Sequence, residues 1–260
     1  MSVELNYQDT GGEGTPLFVI HGLMGSADNW RSHVKQWQAH HRVVAVDLRN
    51  HGRSPHAEGM SYGEMAQDLL ALMDRLAVER AHLLGHSMGG KVVISAARFT
   101  PERVASLIVA DIAPQAYGHG HDAVFAGLRR VEAGSPTNRR EADEMLAEHV
   151  DERATRLFLA TNLVRGDDGV LRWRIGLDQI ERDYDSIMQA PAGEGAYEGP
   201  TLVLRGGRSH YVPDEALPTL RNVLPNAQVV TLEQAGHWLH AEQPDAFQTA
   251  VNDFLASLAS

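Results

Sequence analysis

Short apolar runs bounded by turn residues recur along the chain, and they predict buried β-strands. Helical patterns of apolar residues separate several of these runs. Strands that alternate with helices favour a largely parallel sheet covered by helices on both faces, so the sequence predicts an α/β protein. The predicted strands lie at residues 16–20, 42–47, 81–85, 105–111, 201–206 and 227–232, and the predicted helices at residues 61–80, 87–99, 213–224 and 244–259.

The alternation of strands and helices stops between Asp111 and Pro200. This interval carries amphipathic helical patterns without a clear buried strand, and loops rich in glycine, proline and alanine bound it. We therefore expect a core formed by residues 1–111 and 200–260, with residues 112–199 inserted as a helical cap. The helical patterns of the insertion are HDAVFAGLRRVEA, NRREADEMLAEHV, DERATRLFLATNLV and RWRIGLDQIERDYDSIMQ.

Length and composition narrow the class of protein. A chain of 260 residues suits one sizeable domain, with or without an insertion, and no run approaches the ~18 apolar residues of a membrane span. The first 14 residues lack the basic and apolar regions of a signal peptide, so we interpret them as a first strand. Because the chain has no cysteine, we expect a soluble, cytoplasmic protein without disulfides. Acidic residues outnumber Lys and Arg by 34 to 23, which disfavours nucleic-acid binding.

The strongest chemical signal is GHSMG at residues 85–89, which matches the motif G-x-S-x-G. It follows a predicted strand and precedes a predicted helix, the context in which this motif presents a nucleophilic serine. So tight a turn would hold Ser87 in strained backbone geometry with its hydroxyl exposed, and side chains in place of Gly85 and Gly89 would collide. A chance turn of glycine and serine is the alternative, and the flanking strand and helix disfavour it.

With this motif the chain resembles the α/β-hydrolase superfamily over its whole length outside the insertion. Three further segments stand in the family's order: HGLMGS (21–26), DLRNHGRSPH (47–56) and AGHWLHAEQP (235–244). The second segment, taken with GHSMGGKV, is similar to small bacterial esterases of the YbfF type, although Asn50 stands where the superfamily usually has glycine. The resemblance implies a mostly parallel eight-stranded sheet with a helical cap inserted after strand six.

The resemblance also assigns roles to these segments. The backbone N–H groups of Leu23 and Met88 would bind the oxyanion. His237 would be the general base, since the spacing of the family's G-H-x-x-x-x-E-x-P segment selects it. His240 is then interpreted as a rim or packing residue, and the imidazole of His21 as a brace for its loop.

The sequence identifies the acid of the expected triad less directly than the serine and the histidine. In RGGRSHYVPD (205–214), Ser209 stands where the family usually has aspartate, and a neutral hydroxyl cannot stabilise an imidazolium as a carboxylate does. Asp111 follows the next strand after the nucleophile strand, at the same sheet edge, and the resemblance to YbfF-like esterases implies an aspartate there. We expect Asp111 to be the acid and Ser209 to shape the pocket wall. Asp214, better interpreted as a helix cap, and a site without any carboxylate remain alternatives.

Other features of the sequence indicate little chemistry. The stretch around His119 and His121 has no acidic partners at a metal-ligand interval, and no G-x-G-x-x-G opens a helix, so we expect neither a metal nor another cofactor. Lys91, one turn into the helix behind Ser87, is interpreted as a residue that supports the site from behind or forms a surface ion pair. The sequence leaves the oligomeric state open.

Together these features predict a serine hydrolase of small-molecule carboxylic esters or thioesters. The resemblance suggests short to medium acyl groups, with the cap setting the preference for chain length. A carbon–carbon bond hydrolase, a cofactor-free perhydrolase and a non-catalytic ligand receptor are alternatives, and a dehalogenase is disfavoured because it needs a carboxylate nucleophile. The expected triad is Ser87, His237 and Asp111, and the expected pocket residues are Met24, Tyr211 and Trp238.

Overall fold

The computed structural model describes residues 2–258 and has the α/β architecture that the sequence predicts. Its strands are β1 (Tyr7–Asp9), β2 (Leu17–Ile20), β3 (Val43–Val46), β4 (Ala81–His86), β5 (Val104–Ala110), β6 (Leu163–Arg165), β7 (Leu171–Trp173), β8 (Thr201–Gly206) and β9 (Ala227–Leu232). Seven strands form one sheet in the spatial order β1-β3-β2-β4-β5-β8-β9. β1 is antiparallel to β3 and the remaining pairings in this sheet are parallel, so the predicted sheet type is confirmed.

Helices connect most of the parallel strands. They are α1 (Arg31–Trp37), α2 (Tyr62–Arg75), α3 (Met88–Phe99), α4 (Asp122–Gly134), α5 (Arg139–Ala147), α6 (Arg153–Ala160), α7 (Leu177–Arg182), α8 (Tyr184–Met188), α9 (Leu217–Val223), α10 (Leu239–Glu242) and α11 (Pro244–Leu258). Helix α2 begins at a capping box, in which Ser61 accepts from the N–H of Glu64 and the Glu64 carboxylate accepts from the N–H of Ser61. It ends at Arg75, five residues before the predicted end at residue 80.

The two faces of the sheet pack against different helices. Successive residues of a strand point to opposite faces. In β2, Leu17 and Val19 belong to the apolar cluster that includes residues of α1 and α11. Phe18 and Ile20 belong to the other cluster, which includes residues of α2, α3 and the insertion. Because both faces are covered, the central strands read as continuous apolar runs instead of alternating patterns.

The expectation of eight strands in the sheet is wrong for the described residues. Between residue 2 and β2, the described chain forms one short strand, β1. Two N–H groups upstream of it bond to side chains instead of a neighbouring strand: that of Val3 donates to Asp68 (2.8 Å) and that of Asn6 to Ser54 (2.8 Å). The insertion therefore follows the fifth strand of this chain, not the sixth.

The insertion also contains a hairpin where the sequence predicted helices alone. Strands β6 and β7 pair in antiparallel register around the turn RGDDG. The N–H of Gly166 donates to the carbonyl of Val170 (2.9 Å), and Gly169 takes the left-handed conformation that such a turn needs. Two runs of three residues are too short for the periodicity of the sequence to separate them from the flanking helical patterns.

The insertion is bound to the loops at the carboxyl edge of the sheet. The side-chain amide of Asn162 donates to the carbonyl of Met24 (2.7 Å), and the hydroxyl of Tyr62 at the start of α2 donates to the carbonyl of Ile187 (2.6 Å). These contacts keep residues of the insertion over the strand ends. Within residues 2–258, no helix combines the length and apolar character required to cross a bilayer.

Candidate active site

Three polar residues lie just beyond the carboxyl ends of parallel strands. Ser87 follows β4, Asp111 follows β5, and His237 lies in the loop after β9. The carboxyl ends of parallel strands meet at one edge of a sheet, where α/β proteins commonly bind ligands. The strand order therefore brings together residues that are up to 150 positions apart in the sequence.

Ser87 lies on a strained turn between β4 and α3. Its backbone has φ 53° and ψ −119°, an unfavourable conformation for a residue with a side chain. A Cβ atom on Gly85 would overlap the carbonyl of Gly89, and one on Gly89 would overlap the carbonyl of His21. The two glycines of the motif are thus required by close backbone approach, as the sequence predicted.

A chain of hydrogen bonds links the three residues. His237 Nε2 lies 3.0 Å from Ser87 Oγ, and His237 Nδ1 lies 2.7 Å from Asp111 Oδ2. With the proton on Nδ1, the imidazole donates to the carboxylate and Nε2 is free to accept the serine proton. The Asp111 side chain is fully buried, whereas that of His237 is 23% exposed. The arrangement has the geometry that proton transfer from a serine requires.

Asp111 is held by donors from β8 and the loop after it. The N–H of Gly206 donates to Asp111 Oδ1 (2.9 Å), and the hydroxyl of Ser209 donates to Asp111 Oδ2. These bonds replace the water that a buried carboxylate loses. The expectation that Ser209 shapes the pocket wall is therefore wrong, because its hydroxyl points to the carboxylate that stands in place of the missing acid.

Asp214 lies away from this chain of hydrogen bonds. Its carboxylate forms an ion pair with Arg205 (2.7 Å) at an exposed position. It begins a 3-10 turn, Asp214–Ala216, and no side-chain capping bond is present at that turn. The structure thus removes Asp214 as a partner of His237, and it replaces the expected helix cap with the ion pair.

The two backbone groups predicted to bind the oxyanion flank Ser87. The N–H groups of Leu23 and Met88 donate to no other group in residues 2–258. Gly22, next to Leu23, allows its loop to approach the turn at Ser87 closely, since a Cβ atom on Gly22 would lie 3.1 Å from His86 Nδ1 and 3.2 Å from Ser87 Cβ. Two unpaired donors therefore remain on residues that line one cavity together with Ser87, and an oxyanion site needs such donors.

Buried histidines brace the loops of the site. His21 Nε2 accepts from the N–H of Leu48 (3.0 Å), and His51 Nε2 accepts from the N–H of Met24 (3.0 Å). Burial lowers the pKa of His51 to about 3, so its ring stays neutral. Asn50 has φ 65°, a conformation that asparagine tolerates better than most residues. This explains how it can replace the usual glycine.

The sequence did not predict the contacts that His86 and Tyr211 make with His237. His86 Nε2 donates to the carbonyl of His237 (2.8 Å), and burial holds the pKa of His86 well below its usual value. The ring of Tyr211, expected to line the pocket, also stacks on the imidazole with centroids 3.9 Å apart. His86 occupies a free position of the motif, so no sequence signal singled it out. His240 packs as expected, with its ring 4.5 Å from that of His86.

Ser87 lines two cavities. The smaller, of about 80 Å³, is lined by His237 and by two of the predicted pocket residues, Met24 and Trp238. The larger, of about 240 Å³, is lined by the third, Tyr211, and by Lys91. The surface ion pair considered for Lys91 is wrong, because this residue is 2% exposed and its amine donates to the backbone carbonyl of Gln189 (2.6 Å). In residues 2–258, no cluster of three or more potential metal ligands is present.

Comparisons with known proteins agree on one family. A family model described as alpha/beta hydrolase fold matches residues 15–244. The chain is 40% identical over 262 residues to sn-1-specific diacylglycerol lipase ABHD11 of Mus musculus, across 97% of this chain and 85% of that protein. It is 34% identical over 245 residues to esterase YbfF of Escherichia coli (strain K12), across 93% of each chain. A solved structure of a marine microorganism esterase has a TM-score of 0.92 and 38% identity, covering 97% of this chain and 100% of that one.

Proposed function

Since this chain belongs to the α/β-hydrolase fold family and is an esterase-type hydrolase, we propose that it cleaves small-molecule carboxylic esters through an acyl-enzyme on Ser87. One observation carries this proposal: the hydrogen bonds from Ser87 to His237 and from His237 to Asp111 are both present and short. A binding protein on this fold would have no need to hold a strained serine against a base.

In the proposed reaction, Ser87 Oγ attacks the acyl carbon while His237 Nε2 takes its proton. The imidazolium that forms is stabilised by the buried Asp111 carboxylate, which keeps its own charge. His237 then donates the proton to the departing alkoxide. In the second half of the reaction, His237 activates water, which attacks the acyl-enzyme and releases the carboxylic acid and free Ser87.

The negative charge on the carbonyl oxygen would be bound by the N–H groups of Leu23 and Met88. These donors belong to fixed backbone and need little reorganisation when the charge develops. Loss of one such donor typically costs a factor of ~10² to 10³ in kcat. Backbone donors cannot be deleted by side-chain substitution, which is consistent with a hole built from two apolar residues.

The proposed role of the insertion, residues 112–199, is to cover the site and limit the size of the ester. Its residues His121, Phe158 and Leu159 line the smaller cavity, and Tyr117 and Met188 line the larger. Cavities of about 80 and 240 Å³ favour short to medium acyl groups over long ones.

Steady-state kinetics with p-nitrophenyl butyrate test the proposal. We expect Ser87→Ala to lower kcat by at least ~10⁴-fold, since the nucleophile is lost. Ser95→Ala is the matched control, because Ser95 is a buried hydroxyl on the same helix that donates to the carbonyl of Lys91. We expect its turnover to stay near that of the wild type. Retained turnover in Ser87→Ala would contradict the proposal.

A further inference from the structure

The larger cavity beside Ser87 contains a buried amine that acyl transfer does not use. We call this cavity, lined in part by Ser87, Lys91, Tyr62, Tyr117 and Met188, the lysine pocket. Lys91 is one of two lysines in the chain and is 2% exposed. Lysine is almost never fully buried without a partner, so its position in a cavity next to the nucleophile needs an explanation.

The amine of Lys91 has no negatively charged partner. Its Nζ donates to the backbone carbonyl of Gln189 (2.6 Å), and it forms no ion pair within residues 2–258. No aspartate or glutamate lines the lysine pocket, whose other titratable side chains are those of two histidines and three tyrosines: His121, His210, Tyr62, Tyr117 and Tyr211. Burial lowers the pKa of Lys91 to about 7, because the charged form loses water without gaining a carboxylate. A bound anion would supply the missing countercharge.

Two tyrosine rings complete the surroundings of the amine. Nζ lies 5.2 Å from the ring centroid of Tyr62 and 4.6 Å from that of Tyr117. Both hydroxyls are already used, since that of Tyr62 donates to the carbonyl of Ile187 and that of Tyr117 to the carbonyl of Tyr211. Aromatic faces stabilise a cation less than a carboxylate does. Neither tyrosine hydroxyl is therefore free to donate to a ligand, whereas the ammonium has donors beyond its one bond to Gln189.

The lining of the two cavities indicates which part of an ester each one holds. His237 must protonate the departing alkoxide, and it lines the smaller cavity but not the lysine pocket. Met88, one of the proposed oxyanion donors, lines the lysine pocket but not the smaller cavity. Leu23, the other proposed donor, lines both cavities. This distribution favours departure of the alcohol toward the smaller cavity, with the acyl chain in the lysine pocket.

Ser87 and Lys91 are one helical turn apart. Four residues correspond to roughly 6 Å along a helix axis, and helical side chains lean toward the N-terminus of their helix. The amine is thus within the reach of a short acyl chain attached to Ser87. A carboxylate at the far end of such a chain would meet the ammonium while the scissile carbonyl remains at the serine.

We propose that Lys91 makes the lysine pocket selective for hemiesters of dicarboxylic acids, whose acyl chain ends in a free carboxylate. This inference rests on the proposed ester hydrolysis. In the reaction, Ser87 takes the acyl group and releases the alcohol, and water then releases the dicarboxylate. Lys91 binds the distal carboxylate as an ammonium throughout and exchanges no proton with the reacting carbonyl.

The test compares monoethyl glutarate with ethyl pentanoate, which has the same chain length and a methyl group in place of the distal carboxylate. The measured quantity is the ratio of the two kcat/KM values, from the ethanol released. We expect the ratio to favour the hemiester in the wild type and to fall about 10- to 100-fold in Lys91→Met, the loss expected for a charge-assisted hydrogen bond. Lys91→Arg, which keeps the charge, should restore part of the ratio.

Two control variants show whether the ratio responds to the charge of Lys91 or to the loss of a contact between α3 and the insertion. Lys35→Met makes the same substitution at an exposed lysine, and Ser95→Ala removes a bond from α3 to the N–H of Ala192 in the insertion. Both should keep the wild-type ratio. With the wild type alone, free glutarate should inhibit ethyl pentanoate hydrolysis at lower concentration than pentanoate does, so the test does not depend on the folding of any variant.

The outcomes distinguish this inference from the proposed function. Hydrolysis of ethyl pentanoate with no preference for the hemiester, or a ratio that Lys91→Met leaves unchanged, overturns the role of Lys91 while ester hydrolysis stands. Equal inhibition by glutarate and pentanoate overturns it as well. If the wild type hydrolyses p-nitrophenyl butyrate but neither ethyl ester, the role of Lys91 is overturned and ester hydrolysis stands. A wild type that hydrolyses none of the three esters overturns both proposals.

Discussion

The two cavities that Ser87 lines each contain a basic group, and the structure holds these two groups in opposite ways. On one side, His237 has a buried carboxylate partner in Asp111, and that carboxylate has donors from Gly206 and Ser209. On the other, Lys91 is buried against a backbone carbonyl and two aromatic rings, with no carboxylate. His237 therefore has a countercharge within the protein, whereas the ammonium of Lys91 has none.

This difference separates chemistry from recognition. A base that must cycle between neutral and charged forms benefits from a permanent countercharge that stabilises the charged form. A group that recognises an anion benefits from the opposite, because a built-in carboxylate would compete with the ligand. Three substitutions, at Asp111, Lys91 and Ser209, each remove one element of this contrast, with effects that decrease in that order.

Asp111→Asn makes the sheet edge resemble the lysine pocket by leaving a base without its carboxylate. We expect kcat for p-nitrophenyl butyrate to fall by about 10⁴, because the imidazolium loses its partner and the ring its tautomer. KM should change little. Asp214→Asn, which removes an exposed carboxylate paired with Arg205, is the matched control and should stay near wild type. Near-wild-type turnover of Asp111→Asn would remove this residue from the mechanism.

Lys91→Met removes the unbalanced charge of the other side. We expect the free energy of unfolding to rise by about 1–3 kcal/mol at pH 6, since an apolar side chain avoids the desolvation of the ammonium. The pKa of Lys91 is about 7 in the folded protein and about 10.4 in the unfolded chain. The free-energy cost of burying the ammonium is therefore full below pH 7 and decreases as the pH rises toward the unfolded pKa. Urea unfolding at pH 6 and pH 9 measures the gain. A gain that grows with pH would contradict this account.

Ser209→Ala weakens the support of Asp111 without removing its charge. We expect kcat to fall about tenfold with KM unchanged, because the carboxylate loses one of its donors. Ser209→Thr keeps a hydroxyl and should recover most of the rate. If the residue merely shapes the pocket wall, KM and not kcat will respond, and threonine will behave no better than alanine.

The strand ends of the site could be predicted from the sequence. Ser87 and Asp111 each follow a buried apolar run, and parallel strands place such positions at one sheet edge. His237 was placed by motif spacing, and the structure brings all three together. These predictions rest on local patterns and on one general rule of sheet topology.

The contacts of Ser209 and Lys91 could not be predicted in this way. The bond from Ser209 to Asp111 joins loops 98 residues apart, and its geometry depends on how the chain turns after β8. The position of Lys91 depends on the insertion, which covers the helix face that would otherwise be exposed and allow the predicted surface ion pair. The hairpin β6–β7 was missed because its strands have three residues each.

The nucleophilic character of Ser87 is the claim on which both proposals depend, and covalent labelling tests it most directly. The protein is treated with a fluorophosphonate, digested and mapped by mass spectrometry. We predict one adduct per chain, on Ser87, which is absent from Ser87→Ala and present in Ser95→Ala. No adduct on the wild type, or the same labelling in Ser87→Ala, would contradict the account.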